Sequence, residues 1–348
     1  MQTARSRALR GLRGAAVSAA LVVCCTSPGP PAAASKPGAG SVRAAAGTAG
    51  SPVAASAAAP AQARGRQATC DAPEASLRPS GKSGPAVKRI RKRGMLIAGV
   101  DQNSYRWGYR DPATGEFAGF DIDLVRAVAK EVLGDPDKVL YRPVRTNQRI
   151  PALLGGKVDL IARTMTINCD RIGHVAFSTV YFVAGQQVLA PKGSPVKGFD
   201  DTLRGRTVCT ARGSTGATEL AEETHDADVR LVADQLDCLV LLQLGRVDAV
   251  ITDNALAAGQ AAQDPTVELV GEPFTREPYG LAMRPGDEDL VRRVNKVLKA
   301  YRKGGADSPW SKAYDRWLKD DLRGVTGPPK AKYRDRPRTT PHTGTAER

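Results

Sequence analysis

Histidine, phosphate-binding loops and long apolar runs are what this 348-residue chain has least of. Its only histidines are His174, His225 and His342, and its cysteines are widely spaced, so neither a metal site nor a metal cofactor is expected. No G-x-x-x-x-G-K-[ST] stretch occurs, which excludes a nucleotide loop of that kind. No Ser–His or Cys–His arrangement suited to nucleophilic catalysis stands out, so no catalytic residue is assigned. Past the N-terminus no apolar run reaches the length that spans a bilayer, about 20 residues. No repeat of 20-to-50-residue period is evident.

Positive charge is plentiful, at a formal +15, but it is badly distributed for a nucleic-acid binder. Residues 1–94 carry +13 and residues 321–348 carry +4, which leaves the middle of the chain at −2. A nucleic-acid domain would hold its basic residues on a folded face. No nucleic-acid partner is therefore expected.

The first residues have the pattern of an export signal. Arg5, Arg7, Arg10 and Arg13 precede an apolar segment over 15–25, too short for a membrane span. Cys24 and Cys25 follow Leu21-Val22-Val23 and make a candidate lipidation site, though the residue expected before a lipidated cysteine is small, and Val23 or Cys24 stands there. Cleavage after Ala32-Ala33-Ala34 is the rival. A lipid would tether the chain without spanning the membrane. Residues 26–85, rich in Ala, Gly, Pro and Ser, read as a disordered linker, and 323–348 as a disordered tail. The expected place is the outer face of the cell membrane, lipid-anchored or secreted.

Export permits disulfides. Cys70, Cys169, Cys209 and Cys238 allow three pairings. Cys209 and Cys238 fall in one predicted lobe, on a strand and at a helix start, and are paired on that ground. Cys70 with Cys169 follows by elimination.

From residue 93 onward, short apolar runs alternate with amphipathic stretches. Strands are predicted over 95–100, 139–144, 158–162, 207–211, 229–232 and 247–252. Helices are predicted over 121–133, 148–154, 215–223, 235–244, 254–263, 287–303 and 309–319. That order predicts an α/β fold with two lobes, each a mostly parallel sheet flanked by helices. The predicted parts are signal peptide 1–25, linker 26–85, first lobe 86–186, second lobe 187–281, a return to the first lobe over 282–322, and tail 323–348. Crossings are expected near 187–191 and 279–284. Ligands bind outside the carboxyl ends of parallel strands, so two lobes face two such edges across one cleft.

Two stretches concentrate the chemistry. VDLIARTMTINCDRIGHVAFSTVYF ends a strand at Thr164 and Thr166 and then offers Arg171. RTVCTARGSTGATEL runs a strand into Gly213, Ser214 and Thr215 at a helix start, whose free N–H groups favour an anion. Hydroxyls, backbone N–H groups and a guanidinium suit a small carboxylate rather than a reaction.

With GVDQNSYRWGYRDPATGEFAGFDIDL, DCLVLLQLGRVDAVITDNAL and EPYGLAMRPGDEDLVRRVNKVL, these stretches make the chain resemble the extracytoplasmic solute-binding proteins of polar amino acid ABC importers, family 3, with the type 2 periplasmic-binding fold. The likeness is greatest to actinobacterial glutamate-binding lipoproteins. It implies that Arg171 clamps an α-carboxylate, that Thr164 and Thr166 touch the same ligand, and that Ser214 and Thr215 contact it from the other lobe. Asp253 would meet the ammonium, and Tyr105 or Trp107 would cover the ligand. Arg149, with Arg163 nearby, would meet a side-chain carboxylate. Each has a plainer reading: Asp253 as a helix cap, the threonines as turn formers, Arg149 as a solvated charge. Asp121 and Asp123 are read as capping acids, and Asp159 and Asp248 as structural.

The implied protein is a monomeric, non-enzymatic binding component, without cofactor, that closes its lobes on a polar amino acid, glutamate favoured, and docks on an ABC permease. Its only membrane contact would be the lipid anchor. Two alternatives use the same fold: an amino-acid sensor for a separate signalling partner, and a dehydratase or lyase.

Overall fold

The computed structural model describes residues 70–322 and 324–337. The expected signal peptide, the lipidation candidates Cys24 and Cys25, and most of the linker lie outside the described residues.

Two five-stranded sheets carry the fold. In the first, the order is Val139–Pro143, Leu96–Val100, Leu160–Ala162, Ala282–Met283, Ala176–Phe177. In the second, it is Asp228–Val232, Thr207–Ala211, Ala249–Asp253, Gln186–Pro191, Val267–Val270. The first three strands of each are parallel, as the strand–helix alternation requires. The fourth strand is antiparallel to both of its neighbours, so four of the five strands in each sheet point the same way. The cause is connectivity. In both sheets the fourth position holds the strand that arrives from the other lobe, running against its neighbours.

Between the lobes the chain crosses at Phe182–Ala184 and returns at Glu277–Tyr279. These two segments pair antiparallel, Phe182 opposite Tyr279 and Ala184 opposite Glu277. The crossings thus sit a few residues before those predicted. An aromatic cluster surrounds this hinge pair: Trp107, Phe120, Tyr181, Phe182, Tyr279 and Trp310 are all nearly inaccessible. The Trp107 and Phe182 ring centroids are 4.9 Å apart, edge to face.

Local chemistry explains the elements. The helix Phe120–Leu133 buries Ile122, Val125, Val128, Ala129 and Val132, and ends at Gly134 in a left-handed conformation. Glu288–Tyr301 buries Leu290, Val291, Val294 and Leu298 by the same spacing. The acids of the two matching motifs, Asp159 in GKVD and Asp248 in GRVD, do the same job in each lobe. Asp159 accepts the Ile97 N–H at 2.8 Å, and Asp248 the Thr207 N–H at 2.8 Å. Each ties the start of its own sheet's first parallel strand to the loop before a later one.

Residues 70–85 and 324–337 overturn the linker and tail expectations where they are described. Ser76–Leu77 pairs parallel with Tyr333–Arg334, and the helix Pro85–Arg93 begins at the end of the supposed linker. Composition misled because a few residues anchor the segment. The Ser76 hydroxyl donates to Phe177 O at 2.6 Å, Asn295 donates to Ser76 Oγ and to Leu77 O, and Leu77 is buried. Cys70 is bonded to Cys169, and Cys209 to Cys238.

Both Cys209 and Cys238 are fully buried, so their bond ties a central strand to the start of the helix Gln235–Gln243. Their separation of 29 residues corresponds to about 3–4 kcal/mol by the chain-entropy relation. The C209A/C238A variant is therefore expected to unfold at lower denaturant with stability reduced by about 3 kcal/mol, measured by equilibrium guanidinium unfolding under non-reducing conditions.

Candidate functional site

The carboxyl ends of the parallel strands meet at one small cavity of about 20 Å³. From the first lobe come Thr146, Arg149, Arg163, Thr164, Thr166 and Arg171. From the second come Gln186, Ser214, Thr215, Gln235, Thr252, Asp253 and Leu256. Arg171 and Asp253 thus face the same space from opposite walls. Eight of the ten predicted ligand-binding residues line it. Tyr105 and Trp107 do not.

Three arginines dominate the first wall, at 4%, 3% and 6% exposure for Arg149, Arg163 and Arg171. Arg149 is held by carbonyls only. It donates to Thr146 O at 2.9 Å, Arg163 O at 3.4 Å and Gly213 O at 3.2 Å. Arg171 donates to Thr166 O at 2.9 Å and to the same Gly213 O at 3.2 Å. Among the described residues, neither has a carboxylate within ion-pair distance. Arg163 differs: its guanidinium lies 2.8 Å from Asp101 and 3.6 Å from Asp234, and it donates to the Thr146 hydroxyl at 2.9 Å. Burial, followed by repulsion from Arg171 and Arg163, weakens the hold of Arg149 on its proton. Burial does the same to Arg171, opposed by Glu277 and Asp253. A guanidinium stays charged at any ordinary pH, so these directions measure how strongly the wall attracts negative charge.

The opposite wall is built at a helix start and a strand end. Ser214 caps the helix Thr215–Glu222, its Oγ accepting the Ala217 N–H at 3.0 Å. Asp253 stands where a cap would be, yet makes no cap bond to the helix Asn254–Gln263. Its carboxyl accepts instead from the Gln186 amide and the Tyr279 hydroxyl. Burial, then the nearby Glu277, raises its pKa to about 7. Behind the wall Glu277 accepts hydrogen bonds from Thr166, Thr215 and Thr275.

Thr164 holds a left-handed backbone, φ 41°, which a β-branched residue rarely adopts. The Asp121 carboxyl secures it, accepting the Thr164 N–H at 3.0 Å and the Tyr181 hydroxyl at 2.7 Å. Asp121 is therefore no helix cap. It is buried beneath the site, and that burial raises its pKa to about 7. Strain of this kind persists where surrounding contacts over-determine it.

The aromatic pair needs correction. Trp107 is 1% exposed and packs in the hinge cluster, its indole N–H donating to Ala255 O of the second lobe at 3.0 Å. Tyr105 packs on Tyr109 and lies over Gly259. Both join the lobes rather than cover the cavity. A ring that must bury its whole area is better served by the core than by a polar cleft. Asp101, Thr146, Gln186, Gln235 and Glu277 were missed. Asp101 directly follows the first strand, the same position that Arg163 holds after its own strand, and could have been found by that rule. Glu277 opens the EPYG stretch that carries the family resemblance, but nothing local to it points to a role in the site.

Residues 96–320 match the family described as bacterial extracellular solute-binding proteins, family 3. The chain is 36% identical over 232 residues to the ABC transporter glutamine-binding protein GlnH of Bacillus subtilis, covering 67% of this chain and 84% of that one. It is 29% identical over 251 residues to the glutamate/aspartate import solute-binding protein of Escherichia coli, covering 69% and 82%. Among solved structures it resembles an ancestral arginine-binding protein bound to glutamine, with 37% identity, a TM-score of 0.60, and 65% and 98% covered. It also resembles an ancestral amino acid-binding protein described as a precursor of cyclohexadienyl dehydratase, with 34% identity, a TM-score of 0.61, and 68% and 100% covered.

Asp121 sets a pH dependence whose sign is fixed. Its folded pKa of about 7 lies above the unfolded value of about 3.9. Between the two the folded state binds the extra proton, so stability is fullest below the lower value and falls as pH rises through the window. Asp121→Asn keeps an acceptor for Thr164 but removes the titration. Denaturant unfolding from pH 4 to 8 should show the wild type losing stability relative to D121N, by at most about 1.4 kcal/mol per pH unit.

Proposed function

The chain belongs to the bacterial extracellular solute-binding proteins of family 3, and on that premise we propose that it binds an amino acid with two carboxylates, glutamate first, by closing its lobes. One observation carries the choice of ligand. Arg149 and Arg171 are both buried and bonded only to carbonyls. A guanidinium has five donors. Arg149 uses three and Arg171 two, which leaves each able to receive a carboxylate with paired bonds. Two such cations favour two anionic groups. The Gln235 amide, which lines the same cavity and has a nitrogen without a hydrogen-bond partner, is a further donor.

The roles then follow from position. Arg171 takes the α-carboxylate, assisted by the helix start at Ser214 and Thr215. Arg149 takes the side-chain carboxylate. Asp253 faces the ammonium, whose charge favours the ionised carboxyl and lowers the cost of its burial. Arg163, largely neutralised by Asp101, is a brace: its ion pair with Asp234 joins the lobes. Binding selects the closed arrangement because only there do both walls reach the ligand. The closed protein would present the amino acid to the permease of an ABC importer, at the outer membrane face, held there by a lipid on Cys24 or Cys25 and acting as a monomer.

Glutamine is the second reading, supported by the names of relatives such as the glutamine-binding proteins of Bacillus subtilis and Geobacillus stearothermophilus. In that case Arg149 would meet an amide oxygen. Delivery to a signalling partner would use the same closed form, and co-purification with a permease or with a kinase separates the two. A dehydratase would need an acid or base placed at a scissile bond, and His174 stands exposed outside the cavity.

Calorimetric titration of the purified protein with glutamate, glutamine, arginine and histidine tests the reading, with glutamate expected to bind most tightly. Removing one partner of a buried charge pair costs about 2–5 kcal/mol. Arg171→Ala should therefore weaken every amino acid by about 100-fold. Arg149→Gln should weaken glutamate by about 30-fold or more while changing glutamine by less than about tenfold. Binding of none of the four would overturn the proposal, and equal losses for glutamate and glutamine in R149Q would transfer it to glutamine.

A further inference from the structure

We propose that Glu277 acts as a positioning residue that sets the hydrogen-bond polarity of the site and so makes the wall formed by Thr166 and Thr215 a subsite for the ligand's ammonium. The inference rests on the reading that the ligand is an amino acid.

Glu277 does not line the cavity. It belongs to the hinge segment Glu277–Tyr279 and is 2% exposed. One of its oxygens, Oε2, accepts the Thr166 hydroxyl from the first lobe and the Thr215 hydroxyl from the second, the latter at 2.9 Å. The other, Oε1, accepts the Thr275 hydroxyl at 2.8 Å. A threonine hydroxyl has a single proton to donate and two lone pairs. A carboxylate offers only acceptors. Both threonines therefore spend their proton on Glu277, and what they present to the cavity is lone pairs.

The count can be carried further. Thr215 Oγ1 also accepts from the Gln186 amide at 3.0 Å, which leaves it one free lone pair. Thr166 Oγ1 keeps two. Asp253 stands on the same cavity, also bonded to Gln186. Acceptors thus gather where the two lobes meet over Glu277, beside the guanidinium donors of the first lobe. The sequence resemblance left the threonine hydroxyls as contacts to the ligand without a direction. The structure gives the direction, and it comes from a residue in the hinge. Glu277 also supports the charge of Arg171, for which it is the largest favourable neighbour. One carboxylate in the hinge thereby fixes the direction of a hydroxyl from each lobe.

The test compares glutamate with 2-oxoglutarate, which carries both carboxylates and no ammonium. The full chain is titrated as wild type and as Glu277→Gln, with thermal unfolding recorded for each. Glutamine at 277 offers one acceptor and one donor: with its nitrogen toward Thr166 and Thr215 both hydroxyls lose their acceptor and turn their protons toward the cavity, whereas the reverse orientation disturbs only Thr275, and a crystal structure of the variant tells the two apart. The wild type should prefer glutamate by about 100-fold or more, and E277Q should reduce that preference by about tenfold, mainly through weaker glutamate binding. In a T166V/T215V background the same substitution should change the preference by less than about twofold, because the residues it acts through are gone.

Loss of both ligands in parallel, with the preference unchanged, would overturn the assignment and leave Glu277 as a structural residue. A wild type that binds no amino acid would overturn the functional reading instead, and this proposal with it. Should E277Q fail to fold, Thr166→Val carries the test alone. It should weaken glutamate by about tenfold and 2-oxoglutarate by less than about threefold, and equal weakening would sink the idea.

Discussion

Concentrated positive charge, buried at the meeting of two sheet edges, is the constraint on which the rest of the structure turns. A guanidinium taken out of water needs acceptors for its donors and a counter-charge for its field. Arg163 gets both from Asp101 and Thr146. Arg149 and Arg171 get acceptors, but only neutral ones. The nearest compensation is indirect, from Glu277 behind the wall and from Asp253 across the cavity, whose own pKa is raised to about 7. Such an arrangement is poor for stability and good for binding an anion. It places the cost of desolvating the cations in the fold, where it need not be met again when a ligand arrives.

The scaffold supports this by using the same device in each lobe. Both sheets put three parallel strands side by side, and both receive the strand from the other lobe in the fourth position. The carboxyl ends of the parallel strands release Asp101, Thr146 and Arg163 on one side, and Gly213, Asp234 and Asp253 on the other. Asp159 and Asp248 secure matching places behind them. Because the hinge pair runs between the sheets, a side chain on it can contact both walls. Glu277 does so through Thr166 and Thr215, and the aromatic cluster around Phe182 packs against the pair.

Much of this was legible in the sequence, for reasons tied to particular residues. The helices 254–263 and 215–223 followed from apolar spacing and from cap residues, which are local signals. Thr164, Thr166 and Asp253 stood at or just past strand ends, where the α/β rule places a ligand, and Arg171 followed from the family resemblance. What escaped was set by contacts distant in sequence. Asp121 looks like a helix cap until Thr164 and Tyr181, 43 and 60 residues away, are seen to hold it. Trp107 looks like a cleft aromatic until the hinge cluster claims it. Residues 70–85 look like linker because their order comes from Phe177, Asn295 and the far C-terminal segment rather than from their own composition.

The close approach of the two lobes at the site rests on one glycine. Gly213 has φ 78°, and a side chain there would place its Cβ 3.1 Å from the Asn147 Cα of the opposite lobe. The absence of a side chain lets the Gly213 carbonyl approach closely enough to accept from both Arg149 and Arg171. Those bonds are long, 3.2 Å each, and their acceptor is neutral. A carboxylate oxygen is a stronger acceptor, and the donors that both guanidiniums keep free are open to it. The two cations that draw the lobes together are therefore the two that an acidic amino acid would engage. On the proposed reading, a carboxylate held by the donors these guanidiniums keep free would leave their bonds to Gly213 across the lobes in place.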